Sequence, residues 1–232
     1  MIAVTFALPA ESSEFLRRLR DRTGADRNGV RIVGGKINDR AIEVLHTGVG
    51  EKACRQRLAK FLQDQQFDLL ISGGFAGALN DQLQVGDLLL AKNFSTIALN
   101  NRRKSFSSLP IHEVDLLTVS ALIDSSEKRL EIARASGAAA VDMETEFIAS
   151  ACADHGIPLL SLRVISDTLD EPFPAPTKVL FDIEQQRTRF LTLATFFVAH
   201  PNRVPRLIQF ARRIARVRKI LTGALIAVIS EL

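Results

Sequence analysis

Short apolar blocks alternate with longer amphipathic stretches along this chain. Residues 2–8 are almost unbroken apolar sequence and read as a buried strand, followed by a helix from 10 to about 22. Residues 31–36 and 41–46 read as two strands around the turn Asn38-Asp39. Thr47-Gly48-Val49-Gly50 opens a helix over 51–65, whose Ala53, Leu58, Phe61 and Leu62 share one face. Residues 68–72 form a strand that runs into Gly73-Gly74-Phe75-Ala76-Gly77, and 85–92 form another, introduced by the turn at Gly86-Asp87. Residues 100–110 are polar and read as a loop. A helix is predicted over 126–136 with Gly137 as its C-cap, then a strand over 138–143. A helix over 144–155 ends at Gly156, and 158–166 are a strongly apolar strand. The proline-rich stretch 171–176 is a loop. The remainder reads as helix, in one segment to about 199 and a second from Val204.

Strands alternate with helices, and several strands lack polar alternation. That predicts a sheet covered on both faces, an α/β chain of three-layer α/β/α architecture. Function in such folds collects beyond the strand ends. Four places qualify: Leu8 to Glu11, Thr47 to Gly50, Ser72 to Gly77, and the acids Glu144 and Asp167.

Composition narrows the classes. Of 232 residues, 47% are hydrophobic and 24% charged, which excludes a disordered chain. Cys54 and Cys152 are too few for a disulfide framework and fit a reducing cytoplasm. They read as buried structural thiols. His46, His112, His155 and His200 form no zinc-type pair, so no metal is expected, and no role is assigned to them. No stretch approaches about 18 charge-free apolar residues, and the opening residues lack a basic n-region, so neither a membrane span nor a signal peptide is expected. Without Trp or Tyr, nucleic-acid binding is disfavoured.

The glycine-rich turns TGVG and SGGFAG let backbone N–H groups approach an anion or a sugar, although each could be only a tight turn. Neither matches GxGxxG or a Walker A pattern, so no dinucleotide or nucleotide cofactor is expected. Glu144 could be a helix N-terminal acid and Asp167 a turn acid. Three carboxylates at strand ends of one sheet, Glu11, Glu144 and Asp167, could also converge on one pocket.

Ala7-Leu-Pro-Ala-Glu11, Thr47-Gly-Val-Gly50, Gly74-Phe-Ala-Gly77 with Val85-Gly-Asp87, Val141-Asp-Met-Glu144 and Arg163-Val-Ile-Ser-Asp167 together resemble the nucleoside phosphorylase/nucleosidase superfamily. That superfamily contains methylthioadenosine/adenosylhomocysteine nucleosidases and purine nucleoside phosphorylases. The order and spacing hold from residue 2 to about 170. Within it, Lys128 to Glu144 and the tail from His200-Pro201 into an Arg-rich helix look like the hopanoid-associated group, which removes adenine from adenosylhopane. The resemblance implies a purine nucleoside phosphorylase-like fold with a mixed central sheet. It implies Asp167 as general acid to the leaving purine, with Ser166 beside it at the substrate. Glu144 would be the acceptor for the ribose hydroxyls, with Met143 packed on the sugar. Glu11 would position the attacking water, and Phe75, Ala76 and Gly77 would line base and sugar. Arg163 reads as a brace for the Asp167 strand.

Two departures matter. Phosphorylases of this superfamily hold phosphate with an Arg and a Ser or Thr in the glycine-rich turn, where this chain has Ser72 and Phe75. A phosphate dianion wants cationic donors, so water is the expected nucleophile. The stretch from Asn93 to Val141 is short, which implies an open 5′ side and weakens the case for adenine specificity. The leading expectation is cleavage of the N-glycosidic bond of a 5′-modified adenosine. The alternatives are a phosphate-dependent phosphorylase, a methylthioadenosine/adenosylhomocysteine nucleosidase, and a non-catalytic nucleoside-binding protein. A homodimer or other homo-oligomer is expected.

The domain reading is a catalytic unit over 1–200 and a basic amphipathic helical tail over 201–232. From residue 201 the chain has seven Arg and Lys residues against Glu231 alone, which leaves the rest of this net +4 chain slightly acidic. Leu207, Phe210, Ala211, Ile214, Val217, Leu221, Leu225 and Val228 form a stripe at helical spacing. The stripe could pack on the domain or a sister subunit. It could also rest on anionic lipid, placing a cytoplasmic enzyme at the inner membrane face.

Overall fold

The computed structural model describes residues 1–97, 110–123, 125–168, 181–182, 187–188, 202 and 204–232. In chain order these form β1 (Ile2–Phe6), α1 (Pro9–Arg18), β2 (Arg20–Arg27), β3 (Val30–Ile37), β4 (Arg40–His46), α2 (Glu51–Leu62), β5 (Leu69–Ala78) and β6 (Leu88–Ala91). They continue as β7 (Ile111–Val114), β8 (Leu116–Thr118), α3 (Ser126–Ser136), β9 (Ala140–Asp142), α4 (Thr145–Asp154), β10 (Leu159–Asp167), β11 (Phe181–Asp182), β12 (Arg187–Thr188) and α5 (Val204–Glu231).

The main sheet runs β2-β3-β4-β1-β5-β10-β6-β7, with β9 against β5 and β8 against β9. It is mixed: β1 is parallel to β4 and β5, and β10 is parallel to β5, whereas β6 runs antiparallel to β10. The apolar run in β1 is explained by burial on both faces. Ile2, Val4 and Phe6 join a core with Phe15 of α1 and Val217, Leu221, Leu225 and Val228 of α5. Ala3 joins the opposite core, with Leu58 and Phe61 of α2 and Ile148 and Cys152 of α4. The three layers expected from the sequence are therefore present.

Several boundaries differ. The first helix stops at Arg18, and β2 follows where helix was expected to about 22. Residues 72–77 are not a loop: β5 continues through all three glycines to Ala78. A Cβ on Gly73 would come within 3.0 Å of Leu225 and 3.2 Å of Phe6, so the bare backbone is what lets helix and strand close on each other. The strand expected over 85–92 is confined to Leu88–Ala91. The short pair β11/β12 falls where helix was expected. The loop expectation for 171–176 lies outside the described residues, as does nearly all of that for 100–110.

Helix α5 has two halves. From Val217 to Ile229 its apolar stripe is part of the main core. From Val204 to Arg216 it is exposed to half-buried, with Val204 and Ile208 the large apolar residues exposed there. No helix among the described residues is long and apolar enough to cross a membrane.

Candidate active site

A gap in strand pairing makes the site. β5 pairs with β1 as far as Thr5↔Ser72, and the same edge is taken up again by β9 at Gly77↔Val141. Between those points no described strand pairs with β5 on that side. A cleft opens there, lined by Phe6, Ala7, Glu11, Thr47, Ser72, Gly73, Gly74, Phe75, Glu144, Ile148 and Arg163. This is the crevice beyond the carboxyl ends of parallel strands where open α/β sheets bind ligands.

Glu11 sits in the first turn of α1 and is buried. Its Oε2 accepts the backbone N–H of Ala7 at 2.9 Å and of Leu8 at 3.1 Å, which caps the helix. Burial pushes its pKa up, opposed by these bonds, by the Arg163 charge and by the Phe75 N–H. The helix is also tied to β4, because Ser12 Oγ meets His46 Nε2 at 2.7 Å. Burial, followed by the Arg57 charge, pulls the pKa of His46 down to about 4. The sequence gives His46 no role, and the structure makes it an anchor for the Glu11 helix.

Glu144 stands at the N-terminus of α4 but does not cap it. Asp142 does so, accepting the Thr145 N–H. Glu144 Oε1 instead crosses to the Gly50 N–H at 2.9 Å. Gly50 has φ +82°, which makes the TGVG turn a glycine requirement. Burial raises the Glu144 pKa to about 8, helped by the Asp142 charge and opposed by the Gly50 bond.

Arg163 is buried and fully used. Its Nε donates to Asp142 Oδ2, one terminal nitrogen to the carbonyls of Ser72 and Leu162, and the other to Ser72 Oγ and Thr145 Oγ1. Thr118 Oγ1 also donates to Asp142, at 2.8 Å. The expected brace is thus a network joining β10, β5, β9, β8 and α4, and it fixes the peptide on either side of Glu144. Neither Asp142 nor Thr145 stands out in the sequence, although both flank Met143-Glu144.

Asp167 does not line this cleft. A bulge between Ile165 and Asp167 turns the end of β10. Ser166 Oγ donates to Asp167 Oδ1 at 2.7 Å, and Oδ2 is paired with Arg129 of α3. Arg129 is buried and also donates to the carbonyls of Ile123 and Ala78. A Cβ on Gly77 would lie 3.0 Å from Asp167 Oδ2, so only glycine fits there. Of the other expected residues, Phe75 lines the cleft, Met143 is buried, and Ala76 lies in the core against Leu89 and Ile165. The structure therefore joins Glu11, Glu144 and Phe75 in one cleft and puts Asp167, Ser166 and Gly77 beside it with Arg129. Arg129 lies in the run Lys128 to Glu144, whose sequence gives no sign of its partner.

Cys54 and Cys152 are both fully buried, and burial pushes their pKa values up. Among the described residues no cluster of His, Cys, Asp and Glu is arranged to hold a metal.

A 5′-methylthioadenosine/S-adenosylhomocysteine nucleosidase of Glaesserella parasuis is 27% identical over 172 residues, which covers 62% of this chain and 75% of that protein. The native futalosine hydrolase of Helicobacter pylori superposes with a TM-score of 0.75 at 16% identity, covering 100% of this chain and 97% of the other. The Streptococcus pneumoniae MTA/SAH nucleosidase in complex with 8-aminoadenine gives 0.70 at 18% identity, covering 100% and 99%. These structures show a shared fold. The sequence profile of the phosphorylase superfamily matches residues 1–107 and 96–199, so this chain, with its cleft beyond the parallel strands, belongs to that superfamily.

Proposed function

We propose that the chain is a purine nucleosidase that releases adenine from a 5′-modified adenosine, with water as nucleophile. The observation that carries this reading is the state of Arg163. It is the one cationic side chain lining the cleft among the described residues, and every N–H of its guanidinium already has an acceptor within the protein. A phosphate dianion would find no free cationic donor among the described residues. A neutral sugar and a water suit the same surface. The names of the relatives and of the solved neighbours, nucleosidases and futalosine hydrolase, support hydrolysis of a nucleoside.

The assigned roles follow the chemistry of N-glycosidic cleavage, which passes through an oxocarbenium-like sugar. Glu144 accepts the ribose hydroxyls, with Met143 beside the sugar. Glu11 positions the attacking water and takes its proton, its Oε2 held by the Ala7 and Leu8 N–H groups. Asp167, once Arg129 has left it and it has taken up a proton from solvent, passes that proton to the departing purine as the C–N bond breaks. Phe75, Ala76 and Gly77 form the wall along β5. Turnover of adenosine, methylthioadenosine, adenosylhomocysteine and adenosylhopane is expected to be the same with and without phosphate, and free sugar is the expected product. A sugar 1-phosphate as main product would sink the reading.

The exposed half of α5 supports a finer substrate choice, an adenosyl lipid held in a membrane. Val204 and Ile208 lie one turn apart and are 37% and 47% exposed, with Arg206 and Arg212 exposed close by. Such a surface suits anionic headgroups. Full-length protein is expected to sediment with anionic vesicles at low salt and to be released as salt rises. Removing the whole tail is the wrong control, because Val217 to Ile229 belong to the core. The triple variant Arg206→Glu, Ile208→Ser, Arg212→Glu should abolish sedimentation while sparing turnover of soluble nucleosides. Indifference of the full-length chain to vesicles rejects the membrane site.

A further inference from the structure

We propose that Arg129 is the resident occupant of the leaving-base seat. A base then reaches Asp167 only by displacing this guanidinium, and its own N–H donors must then serve the carbonyls that the guanidinium leaves. The inference rests on the nucleosidase reading above, in which Asp167 touches the base.

An acid that protonates a leaving base must contact it. In the free protein both carboxylate oxygens of Asp167 are already engaged by described residues, and the side chain is buried. Oδ1 accepts from Ser166 at 2.7 Å, and Oδ2 is covered by Arg129. The approach over β5 is closed as well. A single methyl-sized atom on Gly77 would come within 3.0 Å of Asp167 Oδ2 and 3.2 Å of the Arg129 guanidinium. The cleft holding Glu11 and Glu144 ends short of Asp167. Substrate bound there through its sugar must displace something to bring its base to the acid. Ser166 is a short side chain fixed in the bulge of β10. Arg129 is a long side chain that reaches in from α3 and can retract along its own stem.

The surroundings of the guanidinium show what could replace it. Besides Asp167, its partners are the Ile123 carbonyl, at 3.0 and 3.2 Å, and the Ala78 carbonyl, at 3.2 Å. All are acceptors, as a guanidinium requires. The seat is therefore flat, buried and built to receive N–H donors from a planar group. A purine with an exocyclic amino group is such a group. A base that presents only acceptors would leave these buried carbonyls unpaired after driving Arg129 out, and it would be refused. Arg129 thus acts as a specificity filter, since the newcomer must match the donors it displaces.

Competition of this kind lowers apparent affinity by the fraction of free protein in which the seat is open. If Arg129 fills the seat about 90–99% of the time, removing it tightens base binding about 10- to 100-fold. The test is calorimetric titration of adenine into wild type, Arg129→Met and Arg129→Gln. Arg129→Gln keeps an amide donor for the carbonyls should Arg129→Met fail to fold. Tighter adenine binding in a folded variant is expected, and equal or weaker binding overturns the proposal. A second readout needs no variant of altered stability. The ¹⁵N signal of the Arg129 Nε–H in wild type should lose its protection from exchange when adenine saturates the protein. If wild type releases adenine from nucleosides yet this signal is unchanged in the adenine complex, the proposal alone falls. If adenine binds neither wild type nor variant, the nucleosidase reading falls and takes the proposal with it.

Discussion

Asp167→Asn is expected to cut turnover of purine nucleosides by about 10² to 10⁴, the usual worth of a general acid. The substitution keeps the shape of the side chain and an oxygen that can accept from Ser166 Oγ. It removes the proton source and the counter-charge of Arg129. Losing one member of a buried ion pair costs about 3–5 kcal/mol, so the variant should melt earlier than wild type while keeping its far-ultraviolet spectrum. The guanidinium still has the Ile123 and Ala78 carbonyls, which limits the damage. Stability and chemistry can be separated with the leaving group. A nitrophenyl riboside departs without being protonated. Wild type and Asp167→Asn should hydrolyse it at similar rates while differing widely on adenosine. Equal losses on both substrates would mean that Asp167 holds the site together and does not deliver the proton.

The parts of the fold that sequence made legible are those where one physical cause dominates. β1, β5 and β10 are buried on both faces, so their apolar runs could be read directly. β2 could not. Its sequence, RDRTGADR, is polar throughout because it is an edge strand exposed along its length. Nothing separates such a segment from the end of a helix until β3 pairs with it. The glycines of 73–77 suggested a loop because glycine usually marks one. Here they mark a strand approached closely by Phe6, Leu225, Arg163 and Asp167, and a sequence does not record what lies across from a missing Cβ. Glu11 and Glu144 were legible through their place at strand ends and through the resemblance, and the cleft does hold both. Arg129 was not, because one arginine in a charged helix looks like any solvated one. Its burial depends on the end of β10, 38 residues further along the chain.

Glu144→Gln is expected to raise KM and lower kcat for ribonucleosides, and to change the pH dependence of stability. The carboxylate lies in the cleft with one oxygen on the Gly50 N–H, and the sugar hydroxyls would supply the remaining donors. Gln presents one acceptor and one donor in that space, so it can serve only part of a diol. A 2′-deoxy substrate offers a single hydroxyl and should separate mutant from wild type poorly. Equal damage on ribo- and deoxyribo-substrates would remove Glu144 from the diol role. The free protein offers an independent check. Burial raises the Glu144 pKa from 4.5 to about 8, so the folded state holds this proton more tightly than the unfolded chain does. The associated stability is complete below pH 4.5 and is lost as pH rises through about 8. Gln has no proton to lose. The variant should therefore gain on wild type as pH climbs across that window. The gain can reach a few kcal/mol, because a tenfold difference in proton affinity between the folded and unfolded chains is worth about 1.4 kcal/mol. Donors from a bound ribose favour the carboxylate, so substrate binding to wild type near neutrality should also release a proton. Calorimetry in buffers of different ionisation enthalpy measures that release directly. It should vanish in Glu144→Gln, and a release that persists in the variant assigns the proton to another group.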